Sequence, residues 1–316
     1  MPWRVLPAVG AVLGFIAGSL LRIRRAHVEG AMRAAGVASP RSQARAMYRA
    51  LGTSAIELLY LASHGPGATA HVRLGATSAA RWREALARGR GAVIAASHTG
   101  NWDLAACAVA RETELLVVTK RLSVGWLDRF WQSTRAGLGV ALVEAAGALA
   151  RARGVLRRGG AVAMIIDQVP TSAGHAIEVP FLGRAALVDR GPAALAAACR
   201  APLVVAASRR EPTGEHALLV LQIIEPPPRP SPRWVADATR AATRALEDFV
   251  REHPSQWLWL HRRWKRLDRR TGTATLAPPW PEHEMPPATS TTARSRLRRR
   301  TAATRSSSRG AASRAG

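Results

Sequence analysis

Ala92-Val93-Ile94-Ala95-Ala96-Ser97-His98-Thr99-Gly100-Asn101-Trp102-Asp103 is the most informative part of the sequence. Its first five residues form a short apolar run, which is typical of a buried strand. A histidine follows in a turn, and a helix then begins with a carboxylate in its first turn. Ligands of α/β proteins bind at the carboxyl ends of the strands, so His98 lies where a functional site is expected.

Strands and helices alternate on both sides of this stretch. Apolar periodicity and capping residues predict helices over residues 41–61, 78–87, 101–111, 126–136, 149–158, 193–199 and 234–252. Further strands are predicted over residues 115–119, 140–143, 161–166, 203–207 and 217–224. This alternation indicates an α/β layered fold with a mainly parallel central sheet flanked by helices.

His98 and Asp103 are the first candidates for chemistry. A histidine needs a partner on one ring nitrogen so that the other can accept a proton, and Asp103 lies five residues further on. The alternative is a helix-capping aspartate beside an incidental loop histidine. Cys107, in an apolar part of the next helix, is read as a core residue and not as a nucleophile.

The charge balance indicates an anionic partner. Lys and Arg number 46 against 21 Asp and Glu, which gives a net charge of +25. A GC-rich genome would explain the preference for Arg over Lys, although not the shortage of acids. Nucleic acid, phospholipid headgroups and an acidic carrier protein all fit such a charge. With two cysteines, a disulfide framework or a Cys-ligated metal cluster is excluded.

The two ends of the chain differ from the body. Residues 5–21 are apolar or small and are followed by Arg22, Arg24 and Arg25. A cleaved signal peptide is the main alternative, since Ala17-Gly18-Ser19 loosely resembles a small-residue cleavage site. Against cleavage, the apolar run continues through Leu20 and Leu21 and then meets the arginines. We therefore expect residues 1–25 to be an uncleaved anchor that spans the membrane or lies in its interface, with the arginines on the cytoplasmic side.

The other end, residues 277–316, is predicted to be a disordered tail. Its last 32 positions, residues 285–316, contain no acid and eight arginines, Arg294, Arg296, Arg298, Arg299, Arg300, Arg305, Arg309 and Arg314. Such a segment has too few apolar side chains to offset its chain entropy. Residues 26–276 remain as the main folded domain.

Residues 98–103 resemble the H-x4-D/E motif of glycerolipid acyltransferases. In its H-(F/L/T)-G-N-W-(E/D) form this motif is the signature of the bacterial lipid A late acyltransferases of the lauroyl/myristoyl type. Further blocks are similar and come in the same order: Lys120-Arg121-Leu122, Asp167-Gln168, Val179-Pro180-Phe181-Leu182-Gly183-Arg184, Gly191-Pro192-Ala193 and residues 253–265. The similarity covers residues 5–266.

The resemblance implies a glycerolipid-acyltransferase-like fold and an O-acyltransferase that transfers acyl groups other than aminoacyl. The donor would be acyl carrier protein or acyl-CoA, and the acceptor a hydroxyl of a lipid A precursor or related glycolipid. The enzyme would act on the anionic cytoplasmic face of the inner membrane, with no cofactor and no metal. In this reading His98 is the general base and Asp103 orients it.

The resemblance also suggests residues that bind substrate or stabilise the oxyanion. Arg121 and Arg184 are candidate oxyanion donors or phosphate contacts, and Asn101 belongs to the same group. Glu178 would be a second carboxylate near His98 or a solvent-facing strand residue. Asp167 would cap a strand end or order the loop of the site.

Other interpretations stay open. Phosphatidylinositol-mannoside-type and lysophospholipid acyltransferases also usually have Asp at the last position of the motif, where this chain has Asp103. The motif therefore leaves the acceptor open. A basic nucleic-acid-binding protein is a non-enzymatic alternative, but no helix-turn-helix, zinc spacing or RNP-like block accompanies the charge. An α/β hydrolase would need a G-x-S-x-G elbow, which the sequence lacks.

Overall fold

The structure is a computed structural model that describes residues 2–170, 173–267 and 274–276. The chain divides into two units, Met1–Pro279 and Trp280–Gly316, and the described residues all belong to the first. The tail predicted for residues 277–316 lies outside the described residues, so its disorder stays a prediction.

Nine helices and eleven strands occur in the described part of the chain. The helices are α1 (Leu6–Phe15), α2 (Arg25–Ala34), α3 (Pro40–His64), α4 (Ala76–Ala87), α5 (Trp102–Glu112), α6 (Gly125–Gly137), α7 (Ala148–Arg157), α8 (Gly191–Cys199) and α9 (Pro232–Glu252). The strands are β1 (Val72–Leu74), β2 (Ala92–Ala96), β3 (Leu115–Thr119), β4 (Val140–Glu144), β5 (Ala161–Ile165), β6 (Ala176–Phe181), β7 (Arg184–Asp189), β8 (Leu203–Arg210), β9 (His216–Ile224), β10 (Lys265–Leu267) and β11 (Ala274–Leu276).

A seven-stranded sheet in the order β1-β9-β8-β2-β5-β3-β4 forms the centre of the molecule. Its neighbours are parallel except β8 and β9, which pair antiparallel. The predicted α/β fold with a mainly parallel sheet is thus confirmed. Strands β6 and β7 form a separate antiparallel hairpin, as do β10 and β11.

Strand β2 lies in the middle of this sheet, between β8 and β5. Its first four residues are fully buried, which explains their apolar composition. Because β2 and β5 are parallel neighbours, with Ala96 opposite Ile165, their carboxyl ends meet at one edge. The residues that follow them, including His98 and Asp167, therefore come together.

The predicted N-terminal apolar helix is present. Helix α1 continues through a π-helical turn, Ile16–Leu20, and packs along α3. By length and composition alone, Trp3–Leu20 is the one helix of the described residues that could cross a membrane.

The tryptophan-rich block near the end of the described chain is part of the core. Trp257 and Trp259 are 1% and 0% exposed. Of the two arginines that follow them, Arg262 is exposed and Arg263 is buried. Its guanidinium donates to the Leu187 carbonyl and lies over the Phe181 ring, which explains how a cation is tolerated there.

Candidate active site

The loop that carries His98 is held by a second segment of the chain. The Gly100 N–H donates to the Gln256 carbonyl at 2.8 Å, and the Leu258 N–H donates to the His98 carbonyl at 3.0 Å. Gly100 has a φ of +54°, and a Cβ at this position would lie 2.5 Å from the Ser208 carbonyl oxygen. Only glycine fits this turn, which accounts for the Gly in the motif.

His98 pairs with Asp167. Its Nδ1 lies 2.9 Å from Asp167 Oδ1, and its backbone N–H donates to Asp167 Oδ2 at 2.8 Å. The His98 side chain is 14% exposed, whereas that of Asp167 is fully buried. With Nδ1 held by a carboxylate, Nε2 is the nitrogen that can accept a proton. The geometry is that of an oriented general base.

Asp167 is kept ionised by its surroundings. Burial alone would raise the pKa of its carboxyl, but the charge and hydrogen bonds of His98 and a smaller effect of His261 hold that pKa well below its usual range. Oδ2 also accepts a hydrogen bond from the Trp257 indole at 2.8 Å. The carboxylate is therefore both charged and fixed in position.

Two further rings surround His98. The Trp102 ring meets it edge-on at a centroid distance of 4.8 Å, and the His261 ring lies 4.7 Å away. Burial, followed by the charge of His98, lowers the pKa of His261 to about 4. His261 is thus neutral near pH 7 and adds no positive charge beside the base. The sequence had not indicated His261 or Trp257 as part of this site.

The sequence had suggested that Asp103 contacts the His98 ring, but the structure gives Asp103 other partners. Its Oδ1 accepts hydrogen bonds from Arg135 Nε at 2.7 Å and from the Trp131 indole at 3.0 Å. Arg135 and Trp131 both belong to α6, so Asp103 ties the first turn of α5 to α6. The local spacing was misleading because the carboxylate leaves the helix on the side that faces α6.

Asn101 is also a structural residue in this arrangement, and not an open substrate contact. It is 3% exposed, and its Oδ1 caps α5 by accepting from the Leu104 N–H at 3.0 Å. Its Nδ2 donates to Glu57 Oε2 at 2.9 Å. Both ends of the amide are therefore used inside the protein.

Glu57 is the centre of a buried ionic cluster behind the His98 loop. Besides Asn101, its carboxylate contacts Arg210 and lies 3.2 Å from His216 Nε2. Burial would raise the pKa of Glu57, but His216 and Arg210 outweigh it and lower that pKa. Arg210 also donates to Ser54, whose hydroxyl donates to the Gly100 carbonyl. The cluster thus supports the loop from α3 and β8.

We expect Glu57→Gln to destabilise the fold by about 3–5 kcal/mol, because it leaves the buried Arg210 charge uncompensated. Urea unfolding of the purified protein measures this. Glu84→Gln is the matched control: Glu84 pairs with Arg88 on the surface at 3.5 Å, so about 1 kcal/mol or less should be lost. Equal effects of the two variants would contradict the role given to the cluster.

The same cluster predicts a pH dependence. Since the pKa of Glu57 is lower in the folded state, its stabilisation is complete above the unfolded value of about 4.3 and is lost as pH falls through the folded pKa. Between pH 5 and pH 3 the wild type should therefore lose more stability than Glu57→Gln. Parallel acid-dependent urea curves for the two proteins would contradict this.

Three predicted substrate-binding residues, Arg121, Glu178 and Arg184, are not part of the contact between His98 and Asp167. Arg121 is 73% exposed and pairs with Glu144 at 2.7 Å, so it lies on the surface after β3. Glu178 is exposed on β6, and Arg184 is partly buried at the start of β7, opposite Phe181. Substrate roles for Glu178 and Arg184 stay predictions.

An apolar cavity begins beside the pair. It lies between the sheet and helices α4 and α5, and its wall includes Ser97 and Trp102, which flank His98. The rest of the lining is mostly apolar, with Ala106, Val109 and Leu218 among the residues. His98 thus lies close to an apolar cavity.

The family described as bacterial lipid A biosynthesis acyltransferase matches residues 14–266. The chain belongs to this family. It is accordingly an acyltransferase, which takes an acyl group from a donor and passes it to a lipid acceptor. No curated relative matches the chain.

In the described part of the acyltransferase, Cys107 is not placed to act as a nucleophile, and no metal-binding cluster is found. Cys107 is fully buried, and burial, with a contribution from Asp103, raises the pKa of its thiol to about 12. It is a core residue. Within residues 2–170, 173–267 and 274–276, no three His, Cys, Asp or Glu side chains cluster closely enough to hold a metal ion.

Proposed function

We propose that the acyltransferase moves a fatty acyl chain from an acyl thioester to a hydroxyl of a lipid A precursor or related glycolipid, with His98 as general base. The thioester is carried by acyl carrier protein or CoA, and the reaction takes place at the cytoplasmic face of the cytoplasmic membrane. The single observation that carries the proposal is the 2.9 Å contact between His98 Nδ1 and Asp167 Oδ1 beside an apolar cavity.

The transfer is direct. His98 Nε2 takes the proton of the acceptor hydroxyl while its oxygen attacks the thioester carbonyl, forming a C–O bond and a tetrahedral oxyanion. When the intermediate collapses, the C–S bond breaks and the imidazolium returns its proton to the leaving thiolate. Asp167 orients the imidazole and stabilises its charged form, as a buried carboxylate does in other acyl-transfer sites.

The oxyanion needs a hydrogen-bond donor, and three N–H groups of the His98 turn are already engaged. The backbone N–H groups of His98, Thr99 and Gly100 already donate to Asp167, Ser97 and Gln256. A side-chain cation is therefore the better candidate, and Arg184 keeps that role in the proposal. Arg121, paired with Glu144 on the surface, is assigned to contacts with anionic substrate instead.

The acceptor is tested with purified enzyme and three lipids: a lipid A precursor, a phosphatidylinositol mannoside and a lysophospholipid. Each is incubated with acyl carrier protein thioester or acyl-CoA, and the products are analysed by mass spectrometry. We expect the lipid A precursor to gain the mass of one acyl chain. Acylation of either other lipid alone would contradict the proposed acceptor while leaving the His98 chemistry in place.

The cavity predicts chain-length selection. Ala106→Phe should fill part of the slot and lower transfer of long acyl chains relative to short ones by about tenfold or more, since each excluded methylene forfeits about 0.8 kcal/mol. Competition between donors of two chain lengths measures the ratio. Ala150→Phe, at an exposed position of α7, is the matched control and should leave the ratio unchanged. An unchanged ratio in Ala106→Phe would show that the chain binds elsewhere.

A further inference from the structure

The apolar N-terminal segment is attached to the catalytic body at both of its ends. At its start, Trp3 is 6% exposed, and its indole donates to the Gly214 carbonyl at 3.2 Å in the turn between β8 and β9. The Trp3 ring also stacks on His71 at a centroid distance of 3.9 Å. Just beyond its far end, the Tyr48 hydroxyl of α3 donates to the Ile23 carbonyl. A helix held in this way has both ends on the same side of any membrane that the body does not cross.

The middle of the segment is packed too tightly on α3 to separate easily. Gly10, Gly14 and Gly18 recur every fourth residue and are all buried. A Cβ at Gly10 would lie 2.2 Å from Thr53 Cα, and one at Gly14 would lie 2.2 Å from the Tyr48 carbonyl oxygen. Small residues at this spacing allow helix backbones to approach closely. Here the glycine repeat is used inside the chain, against α3, and is not available for pairing with another molecule.

The opposite face of the segment is apolar and exposed. Val12 and Phe15 are each 60% exposed, and Leu20 is 68% exposed. A continuous apolar face of this kind is rare on a monomer in water and marks a contact surface. Arg4 precedes it and Arg22, Arg24 and Arg25 follow it, so cations flank it at both ends. An apolar stripe bordered by arginines fits the interface of an anionic bilayer.

We propose that residues 5–21 lie in one leaflet of an anionic phospholipid membrane and do not cross it. The glycine face stays on α3, while the exposed face enters the acyl region and the flanking arginines contact phosphates. The inference rests on the proposed function in one respect: the membrane that residues 5–21 enter is the membrane that contains the lipid acceptor. It goes further by fixing the topology: the apolar segment and the active site lie on the same side.

The topology is tested by labelling. Two single-cysteine probes are made, Pro2→Cys at the start of the segment and Arg73→Cys as a reference on the body. Both carry Cys199→Ser, because Cys199 is partly exposed, whereas the other native cysteine, Cys107, is buried. Pro2 is exposed, and the Arg73 side chain is 78% exposed. A membrane-impermeant maleimide is added to inverted and right-side-out membrane vesicles. Both positions should be labelled in the same vesicle orientation, and labelling of the two positions from opposite sides would overturn the proposal.

The contact between the exposed apolar face of residues 5–21 and lipid is tested with vesicles of phosphatidylglycerol and phosphatidylethanolamine. Phe15→Glu should weaken partition of the full chain about tenfold or more, because a buried phenylalanine is lost. Leu149→Glu, at a position 53% exposed on α7, is the matched control and should change partition less than twofold. Unchanged partition of Phe15→Glu into the vesicles would overturn the proposal. A change from dimer to monomer in light scattering, without weaker partition, would also overturn it, because the apolar face would then contact a second copy of the chain. Neither readout needs turnover, so a failure here is distinguishable from a failure of the proposed chemistry.

Discussion

His98→Ala is expected to lower acyl transfer by about 10²–10⁴-fold, the usual cost of losing a general base. The acceptor hydroxyl would then have to lose its proton to water while it attacks. The loss should be seen in kcat, with little change in KM for the donor, because we propose that the acyl chain binds in the apolar cavity and not on the imidazole. Steady-state assays with a saturating donor measure it.

The control for this variant is His64→Ala. His64 lies exposed at the end of α3, stacked on Tyr60, and has no contact with the site in the described structure. Its replacement should leave turnover within about twofold, since surface substitutions are nearly neutral. Circular dichroism and thermal unfolding establish that both variants fold. Near-normal turnover by a folded His98→Ala enzyme would rule out the mechanism.

Asp167→Asn is expected to have the second largest effect, a loss of about 10²-fold or more in kcat. The amide cannot stabilise the imidazolium, and its NH₂ group can hold His98 in the wrong tautomer. Asp103→Asn, by contrast, weakens the tie between α5 and α6 and should cost stability more than kcat. A larger loss of kcat in Asp103→Asn would favour the motif-based pairing.

Two strands of the central sheet, β2 and β3, could be predicted from the sequence to the residue. β2 and β3 have the bounds 92–96 and 115–119 that were expected, since each is a short apolar run between turn residues. Strand β1, of three residues, and the hairpin of β6 and β7 were not predicted, because their sequences lack a comparable apolar run. Their strands pair with distant segments or with each other, and tertiary contacts determine them.

The partner of His98 could not be predicted because it is distant in sequence. His98 and Asp167 are 69 residues apart, and only the order of the sheet brings the ends of β2 and β5 together. The nearer carboxylate, Asp103, was the better guess by spacing, yet its helix directs it to Arg135, 32 residues later. Local patterns thus located His98 and its loop, whereas strand order determines which carboxylate pairs with His98.

The buried cluster around Glu57 illustrates the same limit. Glu57 is an isolated acid within an apolar run of α3, and its partners, Arg210 and His216, lie 153 and 159 residues away. An isolated acid in such a run indicates burial with a cationic partner. It does not identify that partner.

A double-mutant cycle in kcat tests most directly the claim that Asp167 acts through His98. The cycle combines Asp167→Asn, and separately Asp103→Asn, with His98→Ala. Once the imidazole is absent there is nothing for Asp167 to orient, so Asp167→Asn should add less than about twofold to the loss already caused by His98→Ala. If Asp167→Asn keeps its full penalty in the His98→Ala background while Asp103→Asn loses its own, Asp103 is the partner of the base and the account is contradicted.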